Sequence, residues 1–188
     1  VHSIRPEVAA LLGFALALYG FALYQRRPFR ASLVLGFGIS IIFLSNGILS
    51  LLSIFITALS LLFIKQWRNK RYYLFCLISS IVALTIISPW IYLLYYSNPE
   101  IFFSWLSKVN APNGEEFYFY IKNMLWFTWP SLPLFAFVLT KNFKNILQLK
   151  KIHLPLFFSI SILFTLSLNA NIDQINLMPL LLPFSVAA

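Results

Sequence analysis

The sequence predicts an all-α, polytopic transmembrane helix bundle of about seven spans, each needing roughly 20 apolar residues to cross the hydrocarbon core. Composition is the first reason: 60% of the 188 residues are hydrophobic, 10% are charged, and the mean hydropathy is +0.83. Soluble domains carry roughly a quarter charged residues. The second reason is the spacing of long apolar runs between short polar connections. The third is charge segregation. Arg26, Arg27, Arg30, Lys65, Arg68, Lys70, Arg71, Lys141, Lys144, Lys150 and Lys151, eleven of the 14 Lys and Arg, fall in three connections. All 5 acidic residues, Glu7, Glu100, Glu115, Glu116 and Asp173, fall with Arg5, Lys108 and Lys122 in the segments that alternate with those. Excess Lys and Arg mark cytoplasmic loops, so the three basic connections are expected inside and the acidic segments outside.

The net charge of +9 then reads as a topology signal rather than a nucleic-acid surface, and polar chemistry is expected on the outer side. The lone cysteine, Cys76, lies within an apolar run. It builds neither a disulfide framework nor a cysteine metal site, and reads as a small buried hydrophobe.

Pro6 to Tyr24 supplies a first span, with Pro6 suited to an opening helical turn and Gln25 to Arg30 ending it inside. Ala31 to Ile64 carries no charge and, as one helix, would be roughly 50 Å long, too long for one crossing. Ser45-Asn46-Gly47 is the expected break, giving two short spans and a buried outer turn at 45–47 whose backbone must be satisfied by protein or water. A hairpin also keeps Lys65 to Arg71 on the side of Arg26 to Arg30. Tyr72 to Tyr96 forms the fourth span, its aromatics marking both interfaces.

The polar connection Ser97 to Phe119 mixes apolar and polar residues near 98–108 as an interfacial helix does, before Asn110-Ala-Pro-Asn-Gly114 breaks it. A fifth span, Ile121 to Thr140, holds Pro130 and Pro133 and is expected to kink. Lys141 to Lys151 is the third basic connection. Ile152 to Leu168 crosses outwards, Asn169 to Asn176 forms an outer loop, and a seventh span begins at Leu177. The chain opens with Val1 and runs apolar from Leu180 to Ala188, so 1–188 reads as one transmembrane domain, an internal piece of a longer polytopic protein.

There is no Gly-rich phosphate loop, no His/Cys metal spacing and no Gly-x-Ser-x-Gly elbow, and His2 and His153 are isolated. The candidates are the outer polar groups: Arg5, Glu7, Asn46, Lys108, Glu115, Glu116 and Lys122. Their convergence on one membrane face would make one site. Adjacent Glu115 and Glu116 can bind a divalent cation or supply a general base, or can simply solvate a loop. Lys122 opens a span on the outside, where it suits a lipid phosphate or snorkels to the interface. Asn46 is a helix-breaking turn residue or a substrate contact, and Trp126 and Trp129 either bracket an acyl chain or belong to an aromatic belt.

Several motifs in order resemble a known family. They are Gly36-Phe-Gly38, Phe43-Leu-Ser-Asn-Gly47, Ser88-Pro-Trp90, the run from Tyr120 through Lys122, Trp126, Trp129 and Pro130 to Leu134, and Asn176-Leu-Met-Pro-Leu-Leu-Leu-Pro-Phe184. Together these are similar to the bacterial GT-C type membrane glycosyltransferases, nearest in pattern to the protein O-mannosyltransferase and lipid A aminoarabinose transferase group. The resemblance spans nearly the whole chain and rests on motif order and topology. It implies a multi-pass inner-membrane enzyme of the cell envelope that moves a sugar from a polyprenyl-phosphate donor to a lipid, glycan or protein acceptor at the outer face. It also draws Tyr120 and Trp126 into the substrate-binding set.

In that family the catalytic acidic residue, a general base, lies in the first outer loop, upstream of Val1. Residues 1–188 alone would then be inactive, and no catalytic role passes to Glu7, Glu115 or Glu116. Relatives commonly carry Lys-Gly-Pro at the outer turn, where this chain has Ser45-Asn46-Gly47 and Ile48; Arg5, Lys108 or Lys122 would have to take the phosphate-binding role. A transporter or lipid flippase segment is the main rival. It should place ionisable groups at mid-span, and the sequence places none there. A lipid-binding relative without catalysis is the third reading.

Overall fold

The computed structural model describes residues 6–65, 67–107, 150–166 and 177–187, with single positions 122, 123, 129, 133, 137 and 140 between them. Among these the regular structure is helical, without a strand. Seven helices have defined bounds: α1 Pro6–Tyr24, α2 Pro28–Asn46, α3 Ile48–Leu62, α4 Lys70–Ser97, α5 Pro99–Ser107, α6 Lys150–Leu166 and α7 Met178–Ala187. Two of them, α2 and α4, are long and apolar enough to cross a membrane; Val8–Tyr24, Ile48–Leu62 and His153–Leu166 are shorter apolar helices.

Helix α1 has the bounds expected of the first span. The second helix starts earlier than expected, at Pro28, because proline at N1 has its φ set for a helix and lacks the N–H that would go unpaired there. The break in the long uncharged run falls at Gly47. Its φ of 77° and ψ of −162° lie where an L side chain is strained, which is why glycine stands there. The Gly47 N–H donates to the Phe43 carbonyl at 2.9 Å, closing the end of α2. Within the turn Gly47 is buried, Ser45 half-buried and Asn46 exposed. The protein therefore satisfies the Gly47 backbone but leaves the Asn46 amide open.

Helix α1 packs on α2 through small residues. A Cβ added at Gly38 would lie 2.9 Å from both the Ala17 nitrogen and the Gly13 oxygen, and one at Gly20 would lie 3.0 Å from Leu35. Gly13 sits against Gly38 and Ile42, and Gly20 against Leu35. One number rises as the other falls, so α1 and α2 are antiparallel. Small residues let two apolar helices approach closely where water does not drive them together. One turn face away, Gly36 does the same for α4: an added Cβ would lie 2.7 Å from Val82 and 2.9 Å from the Ser79 oxygen. Phe43 meets Trp90 further along, with centroids 6.2 Å apart. The two helices advance together, so α2 and α4 are parallel.

Helix α3 returns towards the start of α2. Trp67, just after α3, stacks on Tyr24 at the end of α1, centroids 5.5 Å apart, and the Tyr72 hydroxyl donates to the Ala58 carbonyl at 3.0 Å. Helix α6 lies on α3, where Thr57 and Ser161 hydroxyls bond across a buried interface, and Phe158 meets Phe14 of α1 edge-on. Helix α7 packs on α6 and α1. Phe14, Ala17, Phe21, Leu35, Leu61, Phe158 and Leu180 belong to one core.

Buried hydroxyls inside these apolar helices bond to their own backbone: Ser40 to the Gly36 carbonyl, Ser79 to Phe75, and Ser159 to Pro155. That satisfies a polar group without a partner helix. Proline does not end α4 or α6: Pro89 and Pro155 sit inside them.

Candidate functional site

The helix directions sort the connections into two ends. Arg26 and Arg27 lie between α1 and α2 with Arg30 in the first turn of α2, and Lys65 and Arg68 lie between α3 and α4 with Lys70 and Arg71 opening α4. One pocket of about 380 Å³ is lined by both segments, through Tyr24, Gln25, Arg26, Pro28, Trp67, Asn69 and Arg71. The two described basic connections thus lie at one end, as the charge pattern requires. Asn46 and the end of α4 lie at the other, because α1 is antiparallel and α4 parallel to α2.

Of the candidate site residues, Asn46 is exposed at the end of α2, and Lys122 is helical and exposed. Glu7 lies in the first turn of α1; its side chain is outside the described residues, as are Arg5, Lys108, Glu115, Glu116, Tyr120 and Trp126. Only Asn46 and Lys122 of the nine have described side chains, so whether the nine converge on one face lies outside the described residues. The expected proline kink of Ile121 to Thr140 also falls largely outside the described residues.

The segment near 98–108 is a helix. Asn98, with φ −149° and ψ 79°, ends α4, and α5 carries Glu100 in its first turn, where a carboxylate complements the helix dipole. Phe102 of α5 meets Tyr95 of α4 edge-on at 5.6 Å, while Ile101 and Phe103 are exposed. Among the described residues no group of three His, Cys, Asp or Glu could hold a metal ion.

Two features at or near the basic end carry no motif. One is an aromatic floor. Tyr24 lies parallel to Trp67 and edge-on to Tyr72, and touches Phe75, with centroids 4.9 to 5.5 Å apart; Trp67 meets Tyr72 at 5.7 Å, and Phe21 meets Phe75 at 5.9 Å. Each such pair contributes about 0.5–1.5 kcal/mol beyond area burial. Sequence reading marks Tyr72 as an interface aromatic but gives no sign that Tyr24 and Trp67 close on it.

The other feature is a groove of about 560 Å³ between α3 on one side and α2 and α4 on the other. Leu35, Ile39, Leu51, Phe55, Tyr72 and Cys76 are among its walls, and it runs from Ile48 to Leu62 along α3. Cys76 is free and half-buried there, rather than sealed in the core. Nothing in the apolar run of α3 signals that a gap separates it from α2 and α4.

The motif glycines have a packing role. Gly36 and Gly38 admit α4 and α1 respectively, and Gly47 makes the turn. Comparison with protein-family models, curated proteins and solved structures gives no match for this chain.

Proposed function

We propose that the chain is a polytopic transmembrane domain of a GT-C type glycosyltransferase, transferring sugar from a polyprenyl-phosphate donor at the membrane face opposite its basic end. The observation that supports it most is the two-ended arrangement of α1 to α4, with Arg26 to Arg30 and Lys65 to Arg71 together and Asn46 and Asn98 away from them. Helix α4 adds to this. Leu74, Leu77, Ile81 and Leu84, three or four residues apart, are all more than half exposed, an outward apolar stripe that suits lipid rather than water.

Helix α2, 19 residues long, extends about 28 Å, close to the hydrocarbon thickness, while the 15 residues of α3 extend about 22 Å. A Gly47 turn at or below the far membrane surface fits these lengths. The transfer chemistry is supported by the ordered motifs. Displacement at the anomeric carbon needs a carboxylate to take the acceptor hydroxyl proton and cationic groups to steady the departing polyprenyl phosphate. Lys122, exposed on a helix in the segment that opens the fifth span, is placed in the second role.

In the full-length protein, Lys122→Ala should raise the KM for a polyprenyl-phosphate sugar with little change in kcat. Unchanged donor saturation would make Lys122 an interface anchor instead. The enzyme reading itself is tested by sequencing the coding DNA upstream of Val1 for one further span and an outer loop with Asp or Glu. No such loop, together with no sugar transfer by the full-length protein, would leave a lipid-binding or lipid-translocating role. The lateral apolar groove favours that second reading.

A further inference from the structure

We propose that the pocket between the two basic connections binds the phosphate headgroup of an anionic membrane phospholipid, one of whose chains lies in the groove between α3 and α4. The inference rests on the membrane reading above and not on sugar transfer. It concerns the opposite end of the bundle from the proposed donor site.

Charge is the first ground. Arg26, Arg27, Arg30, Lys65, Arg68, Lys70 and Arg71 occur with no Asp or Glu anywhere between Glu7 and Glu100, so no neighbouring carboxylate in sequence neutralises them. Helices α2 and α4 both begin at this end, neither with an acidic residue in its first turn nor with a side-chain cap. Their N-terminal dipoles add positive potential to that of the side chains.

Geometry is the second ground. Arg26 and Arg71 come from different connections yet line one pocket with Gln25 and Asn69, giving guanidinium forks and amides suited to phosphate oxygens. The turns that carry them are fixed by backbone bonds: the Arg26 N–H to the Leu23 carbonyl at 2.9 Å, and the Trp67 N–H to Ile64 at 2.9 Å. Below them the stacked Tyr24 and Trp67 form a rigid floor. Trp67 is 2% exposed, and its indole Nε1 has no hydrogen-bond partner among the described residues.

A lipid rather than a free anion is indicated by what comes next along α4. Arg71 lines the pocket, and Tyr72 and Tyr73, the following residues, line the apolar groove. Headgroup site and chain site are thus consecutive on one helix, and Tyr, Trp and Arg stand together as they do at a bilayer interface. Inorganic phosphate would make no use of the groove.

The test is native mass spectrometry of the full-length protein in non-ionic detergent, titrated with phosphatidylglycerol, phosphatidylcholine or inorganic phosphate. Phosphatidylglycerol should be retained about tenfold better than phosphatidylcholine. Arg26→Gln with Arg71→Gln should abolish the preference, and Lys65→Gln with Arg68→Gln, an equal change of charge outside the pocket, should keep it. Equal retention of the two lipids, equal loss in both double variants, or displacement by millimolar inorganic phosphate would overturn the assignment. Carbonate extraction of membranes separates the two levels. A protein that stays in the membrane without lipid preference loses only this site, and one released by carbonate loses the membrane reading with it.

Discussion

At the basic end five rings, Phe21, Tyr24, Trp67, Tyr72 and Phe75, close on one another from α1, α4 and the connection after α3. At the opposite end the described aromatic contacts between helices are single pairs, Phe43 with Trp90 and Tyr95 with Phe102, and Tyr92 and Tyr96 are exposed. One end is a packed aromatic floor beneath a cationic pocket; the other is where α4 ends and the polar connections begin. Charge pattern directs attention to the second end for chemistry, whereas the described pocket lined by Arg26 and Arg71 lies at the first. A topology signal and a binding site can share the same arginines.

The contrast can be broken most directly at its two tryptophans. Trp67→Ala removes a buried ring stacked on Tyr24 and should cost about 3 kcal/mol, whereas Trp90→Ala, at a half-buried ring that meets Phe43 edge-on, should cost about 1 kcal/mol. Thermal unfolding in a fixed detergent compares them, and equal losses would mean that the ends are equally packed. Gly47→Ala forces a side chain onto a backbone it strains and should destabilise by about 2 kcal/mol; a silent substitution would mean that the turn relaxes freely. An effect as small as that of Trp90→Ala is expected at Tyr72→Phe. It deletes the hydrogen bond to the Ala58 carbonyl while keeping the ring, and should cost about 1 kcal/mol.

Much of the helical framework was legible in the residues. Pro6 and the charged run after Tyr24 bound α1, and Ser45-Asn46-Gly47 located the break because glycine alone tolerates the backbone found there. The shared end of Arg26 to Arg30 and Lys65 to Arg71 followed from the charge pattern together with the division of Ala31 to Ile64 into two helices. Helix α2 starts three residues before Ala31, where the uncharged run begins, because Pro28 can open a helix and takes Arg30 into it. The groove and the aromatic floor were not legible. They depend on which faces of α3, α4 and the Trp67 connection meet, and a nearly uniform apolar sequence leaves helix rotation unmarked. For the same reason Gly36 and Gly38 stood out as motif residues while their packing against α4 and α1 did not. Of the candidate site, Asn46 and Lys122 proved exposed, and the other seven positions lie where the structure gives no side-chain description.

The central claim, that the two ends face opposite sides of a membrane with the arginine-rich end inside, is tested by reporter fusions in the full-length protein. A fusion after Lys70 should report the cytoplasm and one after Asn110 the outside. Both reporters on the same side, or the pair reversed, would contradict the topology, and with it the outer-face transfer site and the inner-leaflet lipid pocket.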